Sequence, residues 1–322
     1  MSNVVNGYPY ITEATRSKVE AALSELNYRV NLSARSMASG RTGFIAFAVP
    51  GLDNPYFAEL AGHVFRAAAE QRWTVLIEQT GGQRATESDV VNSMQYLVDG
   101  MVLHPESLSP DELARHAADT PIVLIGEEDS DPSGKSVAPK VTDSIVGDSV
   151  QASRELTEHL LSTGRRRIAV LGISPDSDLS TNRYRFEGYA QALRAAGIRM
   201  DPELLLPLER LGRGDGAAAA AAVLALPEPP DAVICFNDVV AIGLLGGLHA
   251  AGIRVPEQIA VAGFDDIDEA GFSVPPLTTI AWDKRTIAET AIRVLAERQA
   301  GDTSPPREIP VPYVLRVRGS TG

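Results

Sequence analysis

The five histidines, His63, His104, His116, His159 and His249, are spaced too irregularly to share a metal ion. No HExxH, GxSxG, CxxC or P-loop pattern supplies metal ligands, a nucleophile or a phosphate cradle. The single cysteine, Cys235, cannot form an intrachain disulfide, and its place in an apolar run makes it a buried, inert thiol. Asp129-Ser130-Asp131-Pro132-Ser133-Gly134 opens like a calcium loop, but Lys140 stands at the twelfth position, where glutamate must close the coordination. Gly212-Arg213-Gly214-Asp215-Gly216 reads as a flexible loop before an alanine-rich helix. The expectation is a protein that is not an enzyme and needs no cofactor or metal.

The elements that must position a site follow an α/β pattern. From Gly43 onward, short β-branched runs predict strands over 44–49, 74–77, 101–103, 122–125, 168–171, 232–236 and 259–264. Between them, helical spacing predicts helices over 56–71, 89–97, 149–162, 186–196 and 239–250. In the first helix Phe57, Leu60, Ala61, Val64, Phe65 and Ala68 recur as one buried face. Gly164, Gly197 and Gly252 each follow a helical stretch, where a left-handed cap belongs. The pattern runs to about Asp143, passes through a long helix and restarts at Arg166-Arg167-Ile168-Ala169-Val170-Leu171-Gly172. Two such halves imply a hinged two-lobe fold with a cleft at the carboxyl ends of its strands, where open α/β sheets bind ligands.

Net charge is −13, but it is unevenly placed. Residues 1–42 carry five basic side chains against three acidic ones, a local +2, and the remaining 280 residues carry 24 basic and 39 acidic groups, or −15. The acidic bulk repels a polyanion while the N-terminus can approach one. In that segment Thr12 is an N-cap with Thr15 where a capping box wants glutamate, and the helix it opens runs to about Asn27. A short helix-capable stretch, 32–38, needs a partner or a nucleic-acid surface to order. Residues 1–7 show no basic segment followed by an apolar core, so a cytoplasmic protein is expected. The uncharged run from Ala217 to Leu226 is far short of the ~20 residues a membrane helix needs, and no membrane partner is expected.

Several motifs together resemble LacI/GalR transcriptional repressors. Val4-Val5-Asn6-Gly7, Leu26-Asn27-Tyr28-Arg29-Val30-Asn31, Ala34-Arg35-Ser36-Met37 and Gly40-Arg41-Thr42-Gly43 are similar to the end of the recognition helix, the third helix and the hinge. The likeness continues through Asn54-Pro55-Tyr56-Phe57, Arg185-Phe186-Glu187-Gly188, Asn237-Asp238, Gly263-Phe264-Asp265-Asp266 and Pro276-Leu277-Thr278-Thr279-Ile280, in the family's order over essentially the whole chain. It implies a partial, all-α helix-turn-helix headpiece over 1–27 and a hinge over 28–42. These precede two Rossmann-like lobes of the periplasmic-binding-protein type with parallel sheets, an N-lobe of about 43–143 and 283–305 and a C-lobe of about 144–282 and 306–322. Family members begin with roughly 15 to 20 residues more. Met1 falls where the family often has valine, so a start placed too late on a GTG codon is expected.

The resemblance implies effector contacts from Tyr56, Phe57, Asp143, Arg185, Asn237, Asp265 and Trp282. Arg185 would fix ligand hydroxyls or carboxylates with its fork of donors, Asp265, Asn237 and Asp143 would pair with sugar hydroxyls, and Trp282 would face a flat apolar ligand surface. On the DNA side it implies base readout by Asn3, phosphate contact by Arg35 and a minor-groove wedge at Met37. The expected partners are operator DNA, a sugar-like effector acting as inducer, and a second copy of the chain. Each side chain also has a plainer reading: Asp265 as a helix cap, Arg185 as a surface ion pair, Trp282 as core, Met37 as helix packing, Asn3 as a frayed end and Arg35 as a solvated linker charge. A sugar-binding protein of the same fold without DNA binding is the alternative for the whole.

Overall fold

The computed structural model describes residues 10–26, 40–108, 112–113, 115, 120–126, 142–173 and 180–322. Residues 1–43 and 44–322 form two separate compact units. In the first, α1 (Glu13–Glu25) starts where expected, with the Thr12 hydroxyl accepting from the Thr15 amide at 3.4 Å. No described residue of this unit is buried.

The second unit contains two sheets of six strands. The first lobe is built from β1 (Phe44–Val49), α2 (Pro55–Glu70), β2 (Thr74–Gln79), α3 (Arg84–Met94), β3 (Met101–Leu103), β4 (Ile122–Ile125) and β5 (Asp143–Gly147). The chain then crosses into the second lobe with α4 (Ser149–Ser162), β6 (Ile168–Leu171), α5 (Ser180–Ala195), β7 (Leu205–Leu206), α6 (Arg213–Leu224), β8 (Ala232–Cys235), α7 (Asp238–Ala250), β9 (Ala260–Phe264), α8 (Asp268–Phe272) and β10 (Thr278–Trp282). It returns with α9 (Lys284–Gln299), which packs on α2, β3, β4 and β5, and with β11 (Glu308–Val311) on the edge of the first sheet. A final crossing places β12 (Tyr313–Arg316) on the edge of the second.

The sheets share one plan, β11-β5-β4-β3-β1-β2 and β12-β10-β9-β8-β6-β7. Every pair is parallel except β10–β12, which is antiparallel. The exception has a simple cause: β11 runs parallel to β5 and so ends at the cleft end of the first sheet, and with only Pro312 between them β12 enters the second sheet from its cleft end and runs against β10. The central strands are apolar and buried on both faces because helices cover each sheet twice, as in β1 (Ile45 to Val49) and β8.

The lobes meet at three crossings, at Asp148, Asp283 and Pro312, whereas the expected outer boundaries lay at 143/144 and 305/306. Asp143–Gly147 and Glu308–Val311 both belong to the first lobe. Gly164, Gly197 and Gly252 adopt φ of +93°, +68° and +75°, the left-handed caps their spacing implies. Two local readings fail. Phe65 lies on the solvent side of α2, 44% exposed. Arg213 to Gly216 is not a loop but the first turn of α6. Glycine is required there, since a Cβ on Gly216 would lie 2.2 Å from the Val240 carbonyl oxygen of α7 and one on Gly243 would lie 2.1 Å from that of Arg213.

Candidate functional site

Side chains from both lobes converge on a cavity of about 650 Å³ between the carboxyl ends of the two sheets. Tyr56 and Phe57 reach it from the first turns of α2, which the Asn54 side chain caps, its Oδ1 accepting from the Tyr56 amide at 3.1 Å. Phe57 packs edge-on against Tyr56 (5.2 Å) and His104 (5.0 Å). His104 follows β3, and sequence reasoning set it aside as a scattered histidine. Its position one residue beyond a strand's carboxyl end was the signal. Burial, aided by the Arg185 charge, lowers its pKa to about 4, so its imidazole is neutral at pH 7, and Nδ1 has no partner among the described residues.

The second lobe supplies the polar groups. Arg185, on α5, is buried between the rings of Phe264 (4.3 Å to the centroid) and Phe236 (5.1 Å). Its Nη1 donates to the Phe236 carbonyl, its Nη2 lies 3.5 Å from Asp265 Oδ1, and its Nε has no partner among the described residues. Asn237 caps α7, its Oδ1 accepting from the Val240 amide at 2.8 Å, so what remains for a ligand is the amide NH2. Asp265 follows β9 with φ of +108°, and Asp266 follows at +46°. That conformation is costly for a residue with a Cβ and persists only when its surroundings over-determine it. Asp265 N donates to the Ile280 carbonyl at 2.9 Å, and Ile267 N donates to buried Asp238 Oδ2 at 3.1 Å. Burial raises the Asp265 pKa to about 6, against the opposing charge of Arg185.

Trp282 lies where the three crossings meet. It ends β10, its ring packs edge-on against Tyr313 at 5.6 Å, and a Cβ on Gly147 would come within 2.4 Å of that ring. The cavity wall also carries Glu106, whose pKa burial and neighbouring Glu87 raise to about 7. Glu87 itself is structural, accepting from the amides of Glu106, Ser107 and Leu108 at 2.7 to 3.0 Å.

Tyr56, Phe57, Arg185, Asn237, Asp265 and Trp282 therefore share one cavity, and Asp143 does not. Asp143 opens β5, so it lies at the amino end of its strand, away from the cleft. Its buried carboxylate is occupied by Arg298 Nε (2.6 Å) and Nη2 (3.0 Å) and by Arg307 N (3.0 Å) and Nε (3.2 Å). Burial alone would raise its pKa, but these arginines hold it below the usual value. Asn3, Arg35 and Met37 lie outside the described residues, as does the calcium-like 129–140 stretch.

Two doubly wound lobes closing on a polar, aromatic-walled cleft define a periplasmic-binding-protein-like sensor. The profile of the periplasmic binding protein-like domain matches residues 157–321. The ribose operon repressor of Escherichia coli K12 is 33% identical over 325 residues, spanning 99% of this chain and 94% of that protein. A solved structure of a LacI-family transcriptional regulator from Sanguibacter keddieii superposes with a TM-score of 0.77 at 38% identity, over 88% of this chain and 99% of that one. The transcriptional regulator CelR in complex with cellobiose superposes at 0.74 with 28% identity, over 99% and 94%. The chain belongs to the LacI/GalR family of transcriptional regulators and is not an enzyme.

Proposed function

We propose that the chain is a repressor of carbohydrate-metabolism genes whose grip on operator DNA is released by a small sugar-like inducer bound between its lobes. The observation that carries this is the convergence of Arg185, Asn237 and Asp265 with the rings of Phe57 and Trp282 on one cavity. Fixed donors and a carboxylate orient hydroxyls, and aromatic faces pack the apolar side of a pyranose or furanose. Relatives point the same way, one being a ribose operon repressor and one having been solved with cellobiose. DNA contact falls to Asn3, Arg35 and Met37 in the basic N-terminal segment. The chain acts as a homodimer, which would give Phe272 and Val274, 79% and 88% exposed, an apolar surface to cover.

The test is a thermal-shift panel of sugars and nucleosides, followed by operator titration with each hit. A hit raises the melting temperature by mass action and weakens operator binding. Arg185→Ala and Asp265→Ala abolish the response and leave operator affinity nearly unchanged. A sugar that binds while no duplex from the chain's own upstream region does would favour the alternative, a sugar-binding protein without DNA recognition. A sugar that tightens operator binding would reverse the sign.

A further inference from the structure

The turn that presents Asp265 belongs to the second lobe, yet two of its backbone groups are held from the first. Glu59 Oε1, on α2, accepts from the Asp268 amide at 2.8 Å. Lys284 Nζ, at the start of α9, donates to the Asp266 carbonyl at 2.7 Å and pairs with Glu59 Oε2 at 2.7 Å. Lys284 is buried, and its ammonium sits 5.5 Å from the ring of cavity-lining Tyr56. From its own lobe the same turn is held by Ile280, Asp238 and Arg318, the last reaching Asp266 Oδ1 at 2.6 Å.

We propose that Lys284 and Glu59 are positioning residues for the effector site, gripping the Asp265 turn across the cleft so that its carboxylate is presented only while the lobes keep their present angle. Opening the lobes must break the Glu59–Asp268 and Lys284–Asp266 bonds together. The strained backbone at Asp265 and Asp266, φ +108° and +46°, then loses two of its supports. Lobe angle and ligand-binding geometry are thereby one variable, which is what an effector needs in order to favour one angle over another. The inference rests on the cleft being the effector site, but its test needs no effector.

The charges around Asp265 give a readout that simple loss of packing would not mimic. Arg185 on α5, Lys284 on α9, Glu59 on α2 and buried Asp238 on α7 surround it, and Lys284 lowers its pKa while Glu59 raises it. The experiment is a carbon-13 NMR titration of the Asp265 carboxyl in the free protein, with amide exchange at Asp268, for the wild type, Lys284→Met, Glu59→Gln, Glu59→Ala and Lys284→Arg. The Asp265 midpoint rises in Lys284→Met, falls in Glu59→Gln and returns towards wild type in Lys284→Arg. The Asp268 amide exchanges about tenfold faster or more in Glu59→Ala, as expected on losing a hydrogen bond to a charged acceptor. Midpoints that move together or stay put, or an Asp268 amide that keeps its protection, would overturn the proposal. A melting transition recorded for each variant confirms that the protein measured is folded.

Discussion

Asp265 meets opposing demands, since burial favours its neutral form and the proposed effector contact uses its charge. Its pKa rises from 3.8 to about 6, with desolvation the first cause and Arg185 the main counterweight. Between those two pH values the folded chain holds a proton that the unfolded chain has already released. Stability therefore falls as pH rises through this window, and the penalty is complete above pH 6. Ligand affinity runs the other way, because a sugar hydroxyl donating to Asp265 needs the carboxylate. Below pH 6 the association constant of a cleft ligand should fall by up to about tenfold per pH unit. Asp265→Asn should bind about 10- to 100-fold more weakly, as loss of a charged acceptor costs about 1.5–3 kcal/mol, and should show a flat profile from pH 5 to 7. Calorimetric titration of the same sugar at several pH values decides it, and an equally steep profile in Asp265→Asn would move the titrating group elsewhere. Glu106, at about 7, is the group to examine next.

The glycines of α6 and α7 are legible only through the contact between the two helices. In sequence, Gly212 to Gly216 reads as a loop because glycine is a poor helix former. In the structure Gly216, Gly243 and Gly247 are points where backbone meets backbone. Gly216→Ala and Gly243→Ala should each cost about 1–3 kcal/mol as overpacked substitutions. Gly246→Ala, in the same helix with nothing within 4 Å, should be neutral or stabilising by about 0.5–1 kcal/mol. Thermal melts of the three variants test this, and changes at Gly216 and Gly243 no different from that at Gly246 would mean that the close helix–helix contact does not govern them. The same contrast explains what could be read in advance. Strands Phe44–Val49 and Ile168–Leu171 are continuous apolar runs buried on both faces, and their pattern is local. Strand Asp143–Gly147 begins with Asp and Ser, and one of its two partners is Glu308–Val311, far along the chain and carrying Pro310, which an edge strand tolerates. The resemblance alone points to Asp143 as a ligand contact, and Arg298 and Arg307, which occupy it, are too remote in sequence to reveal otherwise. Arg185, Asn237 and Asp265 were legible because each lies next to a motif or at a strand's carboxyl end, where the fold itself directs side chains into the cleft.

Across the whole molecule, charge narrows the choice of effector. The chain carries −13, and the cavity wall repeats that sign with Asp53, Glu209, Asp215 and Asp265, to which Glu106, with its pKa raised to about 7, adds a partial charge. The described arginines on the wall are Arg185 and Arg210, and each already faces a carboxylate of the same cavity, Asp265 at 3.5 Å and Asp215 at 3.6 Å. A phosphate or carboxylate on the ligand would enter a field that is negative before it arrives, in a setting where charges are screened less than in water. A neutral sugar asks only for hydrogen bonds, which carboxylates accept and the Asn237 amide donates. The cleft should therefore bind a free sugar at least about tenfold tighter than its phosphate or its uronic acid, a difference of about 1.4 kcal/mol. Added salt should narrow that gap by screening the exposed part of the field, and Glu209→Gln with Asp215→Asn should narrow it further. Paired calorimetric titrations of sugar and sugar phosphate at low and high salt measure this. Tighter binding of the anionic partner would show that Arg185 or Arg210 releases its carboxylate to the ligand, and would make those ion pairs gates for an acidic effector.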